Sequence, residues 1–153
     1  MVVPCYNEKY QIEKVIYSIP DYVDDIVIID DGSTDNTVKV VRQSSDQRIV
    51  LIEHEKNKGV GASIASGYKW CRDHGSEIAV VMAGDGQMDP EELPKLIEPI
   101  VEGKADVCKG NRLIVENASC KIPLSRYIGN SILSLLTKIA SGYWHISDSQ
   151  NGY

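Results

Sequence analysis

The sequence lacks an excess of positive charge. Its 153 residues include 16 Lys and Arg against 22 Asp and Glu, for a formal net charge of −6. Proteins that bind the backbone of a nucleic acid need a basic surface, so this class of function is disfavoured.

Cysteine is scarce, and long apolar runs are missing. The cysteines stand far apart and form no C-x-x-C pair, which argues against a zinc site and against a disulfide framework. They are Cys5, Cys71, Cys108 and Cys120. Free thiols in a reducing compartment are the default for such a sequence, so we expect a cytoplasmic protein. No run of about 18 or more apolar residues occurs, which predicts that no segment of this sequence spans a membrane.

Length and composition predict one domain with a hydrophobic core. Hydrophobic residues make up 42% of the chain and charged residues 25%, which is ordinary for a globular protein. No linker or repeat marks an internal boundary, so residues 1–153 are predicted to be a single domain. Both ends fall within predicted structural motifs, from which we expect a piece of a longer chain that is truncated at the C-terminus.

Apolar runs alternate with helical periodicity over the first 110 residues. The predicted strands span residues 1–3, 25–29, 49–52, 80–83 and 106–110. Pro4 is expected to end the first strand, because proline cannot continue a central ladder. An unbroken β-branched run such as 25–29 is typical of a strand whose two faces are both covered. The pattern therefore predicts an α/β fold with a mostly parallel central sheet and helices on both faces.

A further helix is predicted late in the chain. Its apolar positions are Ile128, Ile132, Leu135, Leu136 and Ile139. This spacing makes the helix amphipathic, and packing against the core is the favoured use of its apolar face. Lying on a membrane surface is the alternative.

The functional argument centres on residues 80–90. Asp85, flanked by Gly84 and Gly86, ends an apolar run at the place where open α/β sheets bind ligands. Hard oxygen ligands that leave room for water and phosphate are those that Mg²⁺ and Mn²⁺ prefer. Asp85 and Gln87 are therefore predicted to hold Mg²⁺ or Mn²⁺, and the ion to hold a diphosphate. A solvated Asp-Gly turn explains this stretch alone equally well.

Adjacent acids also follow the strand predicted at 25–29. Asp30 and Asp31 carry like charges side by side, and these repel unless a cation or a hydrogen-bond donor faces them. A simple turn explains this pair poorly. Asp35 is better explained as the cap of the following helix.

Two basic residues stand near predicted strand ends. Lys58 lies in the glycine-rich stretch 57–63, whose spacing fits neither a dinucleotide fingerprint nor a P-loop. Small residues that pack a helix closely on the sheet are the better explanation, with Lys58 free to approach a phosphate. Arg112 follows the predicted fifth strand. Its guanidinium could bind a phosphate there, or Arg112 could be a solvated surface residue, and both interpretations remain open.

Taken in order, these motifs resemble those of the family-2 glycosyltransferases. Residues that resemble the family in general are 4–8, 29–35 and 57–62. Residues that resemble its branch of dolichol-phosphate mannose synthase-like, polyprenyl-phosphate glycosyltransferases are 84–90, 109–112 and 148–153. The resemblance covers nearly the whole chain. It implies the GT-A fold, with a nucleotide-binding half over 1–112 and an acceptor-side segment over 113–153.

The resemblance also implies roles for individual residues. Substrate binding falls on Pro4, Tyr6, Glu8, Asp30, Asp31, Lys58, Gly84, Asp85 and Gln150. Asp31 would bond the base or ribose, and Asp85 and Gln87 would hold the metal. Arg112 would meet phosphate, and Asp148 would lie near the reacting centre. The first acid of the family's metal motif falls on Ala83 here, which shifts weight onto Asp85, Gln87 and the substrate diphosphate.

The implied reaction is inverting transfer of a sugar from a UDP- or GDP-sugar to a polyprenyl phosphate at the cytoplasmic face of a membrane. Asp148 would act as a general base for a hydroxyl acceptor, or would orient an acceptor that is already deprotonated. Two alternatives remain open. One is transfer to a glycan hydroxyl, and the other is a nucleotide-binding module without transfer activity.

Overall fold

The structure of the chain is a computed structural model that describes residues 1–110, 132, 135–137 and 139. Helices and strands alternate along it, as predicted. The elements are β1 (Val2–Cys5), α1 (Ile12–Ser18), β2 (Ile26–Asp30), α2 (Thr37–Gln43), β3 (Ile49–Glu53), α3 (Val60–Asp73), a short 3₁₀ helix (Pro90–Glu92) and α4 (Leu93–Val101).

The strands form a parallel sheet in the order β1-β2-β3. Residues 80–84 run along the free side of β1. There the Val2 amide donates to the Val80 carbonyl (2.7 Å), and the Gly84 amide donates to the Pro4 carbonyl (3.1 Å). The only formal bridge in this segment joins Val2 and Val81, so the strand predicted at 80–83 is reduced to an irregular sheet edge.

Pro4 does not end β1, contrary to prediction. The strand continues to Cys5, and Pro4 pairs with Ile29 of β2. In a parallel ladder alternate residues bond to opposite neighbours. The missing N–H of Pro4 therefore removes one bond on the side of residues 80–84, while its carbonyl still accepts from Gly84. An interior strand accommodates proline at this cost.

The predicted fifth strand is wrong. Residues 106–110 form no strand, and the side chain of Val107 is 82% exposed. Only Val107 and Cys108 are apolar in this stretch, so it offers little surface to bury against a sheet.

Both faces of β2 are covered. Val27 and Ile29 form an apolar cluster with Val2 and with Cys71 of α3. Ile28 alternates with them, so its side chain points to the opposite face, and it is also fully buried. The predicted parallel sheet with flanking helices is confirmed.

Helix α3 approaches the sheet very closely at Gly67. A Cβ atom at this position would lie 2.2 Å from Cγ1 of Val2, which no real contact allows. Ser63, one turn earlier, is fully buried. The prediction that small residues in this helix serve close packing is confirmed.

The chain divides into two compact units, Met1–Pro94 and Lys95–Gly152. The single domain predicted over 1–153, with its nucleotide half at 1–112, stays a prediction. Among the described residues, no helix is long and apolar enough to cross a bilayer.

In the second unit, the helical residues 132, 135, 136 and 139 contradict the favoured core packing. Their exposed fractions range from 52% for Leu135 to 63% for Ile139. Apolar periodicity predicts an amphipathic helix, but it does not say what covers the apolar face.

Candidate functional site

A cleft of about 290 Å³ opens where the carboxyl ends of β1, β2 and the 80–84 segment meet. Its walls come from four separate stretches of the first unit. They are Pro4, Cys5, Tyr6, Glu8, Asp31, Asn57, Gly59, Val60, Ser63, Ala83, Gly84 and Asp85. The structure thus brings together most of the predicted substrate-binding residues at one edge of the sheet.

Asp31 is the most heavily bonded acid of this cleft. Its carboxylate accepts hydrogen bonds from the Lys58 amide (3.0 Å), the Gly59 amide (2.7 Å) and Nδ1 of His54 (2.6 Å). Burial raises the pKa of Asp31, but these three bonds outweigh burial and hold the pKa below its ordinary value. Asp31 is therefore ionised, and its hydrogen bonds hold residues 54–59 in place.

Asp30 faces other groups, which explains how two adjacent acids coexist. Its carboxylate accepts from the Ser33 amide (2.9 Å) and lies 3.9 Å from the thiol of Cys5. Burial, and next the charge of Asp30, raise the pKa of Cys5 to about 12. The Cys5 thiol thus stays protonated and is no nucleophile at neutral pH.

The loops after β1 and β2 are tied together by side chains. Asn7, at a φ of 58°, accepts from the amides of Thr34 (2.8 Å) and Asp35 (3.3 Å). The Glu8 amide donates to Oγ1 of Thr37 (2.8 Å). Asp35 accepts from the Thr37 amide at 2.9 Å, but the N-cap residue of α2 is Asn36, so Asp35 lies one residue before the predicted cap position.

The cleft is acidic. Among the described residues, its lining includes the acids Glu8, Asp31 and Asp85 but no Lys, Arg or His. Burial raises the pKa of Glu8, and the charges of Asp85 and then Asp35 raise it further. Glu8 and Asp85 therefore repel each other in the same cleft, and a bound cation would relieve this repulsion.

Asp85 and Gln87 line different clefts. Asp85 is partly exposed in the cleft described above, and it accepts a hydrogen bond from the Gln87 amide (3.0 Å). Gln87 lines a second cleft, beside Gln11 and Lys14 of the α1 region. The hydrogen bond from the Gln87 amide closes a turn over Asp85 and Gly86. An Asp-Gly turn at this position was one of the two open interpretations.

The donor chemistry of the first cleft fits Mg²⁺ or Mn²⁺. Asp85 offers carboxylate oxygens in an acidic environment, and these ions are commonly bound by one or two carboxylates together with substrate phosphates and water. Within the described part of the chain, no group of three or more His, Cys, Asp or Glu is arranged to hold a metal. A protein-only metal cage is therefore not formed by these residues.

The remaining predicted residues are less well placed or lie elsewhere. Lys58 is exposed, and its backbone amide rather than its side chain reaches Asp31. Arg112, Asp148 and Gln150 lie outside the described residues.

Sequence reasoning missed His54. This residue directly follows β3, and its side chain is only 6% exposed beside Asp31. Its position after a parallel strand, at the edge that carries the other polar groups, was a usable signal. Asn57 and Ser63 also line the cleft, but the sequence predicts no site role for either residue.

Comparison with known proteins gives a consistent match. The family model for glycosyl transferase family 2 matches residues 1–150. A UDP-N-acetylglucosamine–dolichyl-phosphate N-acetylglucosaminyltransferase from Methanococcus voltae is 32% identical over 99% of this chain and 66% of its own length. An undecaprenyl-phosphate mannosyltransferase from Micrococcus luteus is 28% identical over 99% of this chain and 63% of its own length. The chain thus spans slightly less than two thirds of these relatives.

Solved structures support the fold. A glucosyl-3-phosphoglycerate synthase from Mycobacterium tuberculosis in complex with UDP is similar to this chain with a TM-score of 0.50 and 26% identity. The same enzyme in complex with Mn²⁺, UDP-glucose and phosphoglyceric acid gives the same values. The match covers 67% of this chain and 39% of the enzyme.

Proposed function

This chain belongs to glycosyltransferase family 2, and from that membership we propose that its cleft binds a UDP- or GDP-sugar and that the protein transfers the sugar to a polyprenyl phosphate. The observation that carries the proposal is the acidic cleft at the strand ends, lined by the residues of the ordered motifs. The relatives from Methanococcus and Micrococcus carry dolichyl phosphate and undecaprenyl phosphate in their names. These names support a lipid-phosphate acceptor, which in this proposal lies at the cytoplasmic face of a membrane.

The described residues would bind and orient the donor. Pro4, Tyr6 and Glu8 form one wall of the cleft, and Asp31 holds the opposite loop through the Gly59 amide. Tyr6 is 44% exposed, which leaves its ring available to a nucleotide. In this proposal, residues 1–112 hold the nucleotide, and residues 113–153 face the acceptor.

Asp85 would hold Mg²⁺ or Mn²⁺ together with the donor diphosphate, with Gln87 as the predicted second ligand. The ion would supply Lewis-acid stabilisation of the leaving diphosphate. Without a cation, the acids of this cleft would repel the diphosphate. The Mn²⁺ and UDP-glucose bound by the mycobacterial enzyme support this assignment.

The acceptor decides what Asp148 does. A lipid monophosphate has a second pKa of about 6 and is largely deprotonated near neutral pH, so it needs no general base. Asp148 would then orient the acceptor, and Arg112 would bind phosphate. Attack from the face opposite the leaving group gives an inverted product.

Transfer assays test the proposal. The protein is incubated with labelled UDP-N-acetylglucosamine, UDP-glucose or GDP-mannose, with Mn²⁺ and with dolichyl or undecaprenyl phosphate. We expect label in the lipid-soluble fraction with at least one donor, and no label when Asp85→Ala replaces the wild type. Transfer to a free glycan hydroxyl instead would support the other transferase hypothesis, in which Asp148→Ala abolishes activity. Absence of lipid-soluble label with every donor would contradict the proposal.

A nucleotide-binding module without transfer activity is the second candidate. Ala83, which replaces the first acid of the metal motif, and the placement of Asp85 and Gln87 in separate clefts favour it. Calorimetry with UDP and GDP, with and without Mn²⁺, distinguishes the two. Metal-independent binding without turnover of any donor would favour the module.

A further inference from the structure

His54 is a buried titratable residue that lies behind the cleft. Its side chain is 6% exposed and is absent from the cleft lining. Nδ1 lies 2.6 Å from Oδ1 of Asp31, and Nε2 lies 2.9 Å from Oγ of Ser66 in α3. The imidazole therefore bridges the end of β2 and the middle of α3.

The partner of Nδ1 determines the tautomer. Both oxygens of the Asp31 carboxylate already accept from backbone amides, Oδ1 from Lys58 and Oδ2 from Gly59, which favours the ionised form, and an ionised carboxylate only accepts hydrogen bonds. Nδ1 of His54 must therefore carry a proton. In the neutral imidazole, Nε2 then accepts a hydrogen bond from the hydroxyl of Ser66.

The carboxylate that His54 holds is the one that holds the cleft wall. Asp31 accepts from the amides of Lys58 and Gly59, and Gly59 is the N-cap residue of α3, with a φ of 88°. Gly32, next to Asp31, approaches the same loop closely, since a Cβ there would lie 2.7 Å from the carbonyl carbon of Lys56. Asn57, Gly59 and Val60 of this region line the cleft. A change in the orientation of the Asp31 carboxylate would therefore displace the residues of the cleft wall that are bonded to it.

We propose that His54 is a positioning residue for nucleotide binding: its Nδ1–H fixes the carboxylate of Asp31, and Asp31 in turn fixes the 57–60 wall of the cleft. This inference rests on the proposed function for the identity of the ligand, a nucleoside diphosphate. His54 itself contacts no ligand in this assignment.

The order Asp31, His54, Ser66 also resembles a hydrolase relay, but the surroundings do not suit one. Ser66 lies within α3 (Val60–Asp73) and is not part of the cleft lining. A substrate in the cleft would therefore not meet its hydroxyl.

Two substitutions at His54 separate positioning from packing. His54→Asn places an amide N–H where Nδ1 stands, so the donor to Asp31 is kept. His54→Gln places its amide at the position of Nε2, so the contact with Ser66 is kept and the donor to Asp31 is lost. Both variants lose the ring, so a purely structural role would affect them alike.

The readouts are the Kd of UDP and GDP in Mn²⁺ by calorimetry, and hydrogen exchange at the amides of Lys58 and Gly59 in the free protein by NMR. We expect His54→Gln to weaken nucleotide binding and to speed exchange at both amides, each by roughly tenfold, which is the effect of losing one charge-assisted hydrogen bond. His54→Asn should stay within about threefold of the wild type in both measurements.

Equal effects of the two substitutions on amide exchange would overturn the inference. If wild-type protein binds neither nucleotide, the proposed function fails, while amide exchange still decides whether His54 positions the loop. A measurement on unsubstituted protein covers the case in which His54→Gln does not fold. The imidazole ¹⁵N shifts should show a protonated Nδ1, and a tautomer protonated only at Nε2 would refute the assignment.

Discussion

Two loops of the cleft carry acids, one after β2 and the other after the sheet-edge segment 80–84, and the two acids have different surroundings. In the Asp31 loop (residues 31–37), the Asp31 carboxylate is buried and accepts three hydrogen bonds from distant residues. In the Asp85 loop (residues 83–89), the Asp85 carboxylate is partly exposed and accepts a single described hydrogen bond, from its own loop.

This difference distinguishes an acid that holds the structure together, Asp31, from an acid that is available to a ligand, Asp85. Where backbone donors already satisfy a carboxylate, as in the Asp31 loop, the acid contributes to the shape of the cleft. Where few donors face it, as for Asp85, the acid remains available to a cation. Acids with the same position in the topology thus have different uses, and the number of donors distinguishes them.

The strongest test of this contrast is the stability of two alanine variants. We expect Asp31→Ala to lower the free energy of unfolding by about 3–5 kcal/mol, because it leaves the partly buried N–H donors of His54, Lys58 and Gly59 without their partner. Asp85→Ala should change it by less than about 0.5 kcal/mol. Urea unfolding followed by circular dichroism measures both. Similar losses in the two variants would break the contrast.

Ligand binding should show the reverse order. We expect Asp85→Ala to weaken UDP binding in Mn²⁺ by at least roughly tenfold, or about 1.4 kcal/mol, because the cation loses a carboxylate. In EDTA the variant should bind UDP at least as tightly as the wild type, because Asp85 repels the diphosphate when no cation is bound. Gln87→Ala is the matched variant in calorimetry. A comparable loss of affinity would show that Gln87 is a ligand of the ion. An unchanged Kd would show that it is not.

Low pH should destabilise the protein through the acids of the Asp31 loop. Hydrogen bonds outweigh burial and lower the pKa of both Asp31 and Asp35 below the ordinary value of 3.8. The stability that these acids contribute is therefore present above that value and is lost as pH falls from 3.8 through their lower folded pKa values. Unfolding measured down to about pH 2 should show a shallower loss in Asp35→Asn than in the wild type. Parallel curves for Asp35→Asn and the wild type would contradict this.

The smallest expected effect is at Glu8, which lies between the two loops. Burial, and then the charges of Asp85 and Asp35, raise its pKa above 4.5, so ionisation at neutral pH opposes folding. We expect Glu8→Gln to raise the free energy of unfolding at pH 7 by a few tenths of a kcal/mol, since Glu8 is only partly buried. The gain should shrink in an Asp85→Ala background and vanish below the ordinary pKa. A loss of stability at pH 7 would refute the sign.

Local patterns in the sequence predicted the scaffold well. The β-branched run at 26–29 indicated a strand covered on both faces, and the structure confirms it. Pro4 was misjudged because the rule against proline in a ladder ignores that only alternate residues donate to each neighbour. Residues 106–110 were misjudged because two apolar residues cannot anchor a strand.

The site was predictable in kind but not in detail. Adjacent acids at 30 and 31 required donors, and this was recognised from charge repulsion alone. The donors to Asp31 come from His54, Lys58 and Gly59, more than twenty residues away, and only the tertiary fold identifies them. Likewise, the spacing of Asp85 and Gln87 does not reveal that the intervening turn directs them into different clefts.

The close packing of Gly67 against Val2 affects the shape of the cleft, although Gly67 does not line it. Ser63 and Val60 of the cleft lie on the same helix as Gly67, one and two turns towards its N-terminus. A methyl group at 67 would act as a wedge between helix and sheet and would lift that end of the helix away from the strands. The width of the cleft thus depends in part on the absence of a side chain at Gly67, a residue that does not line the cleft.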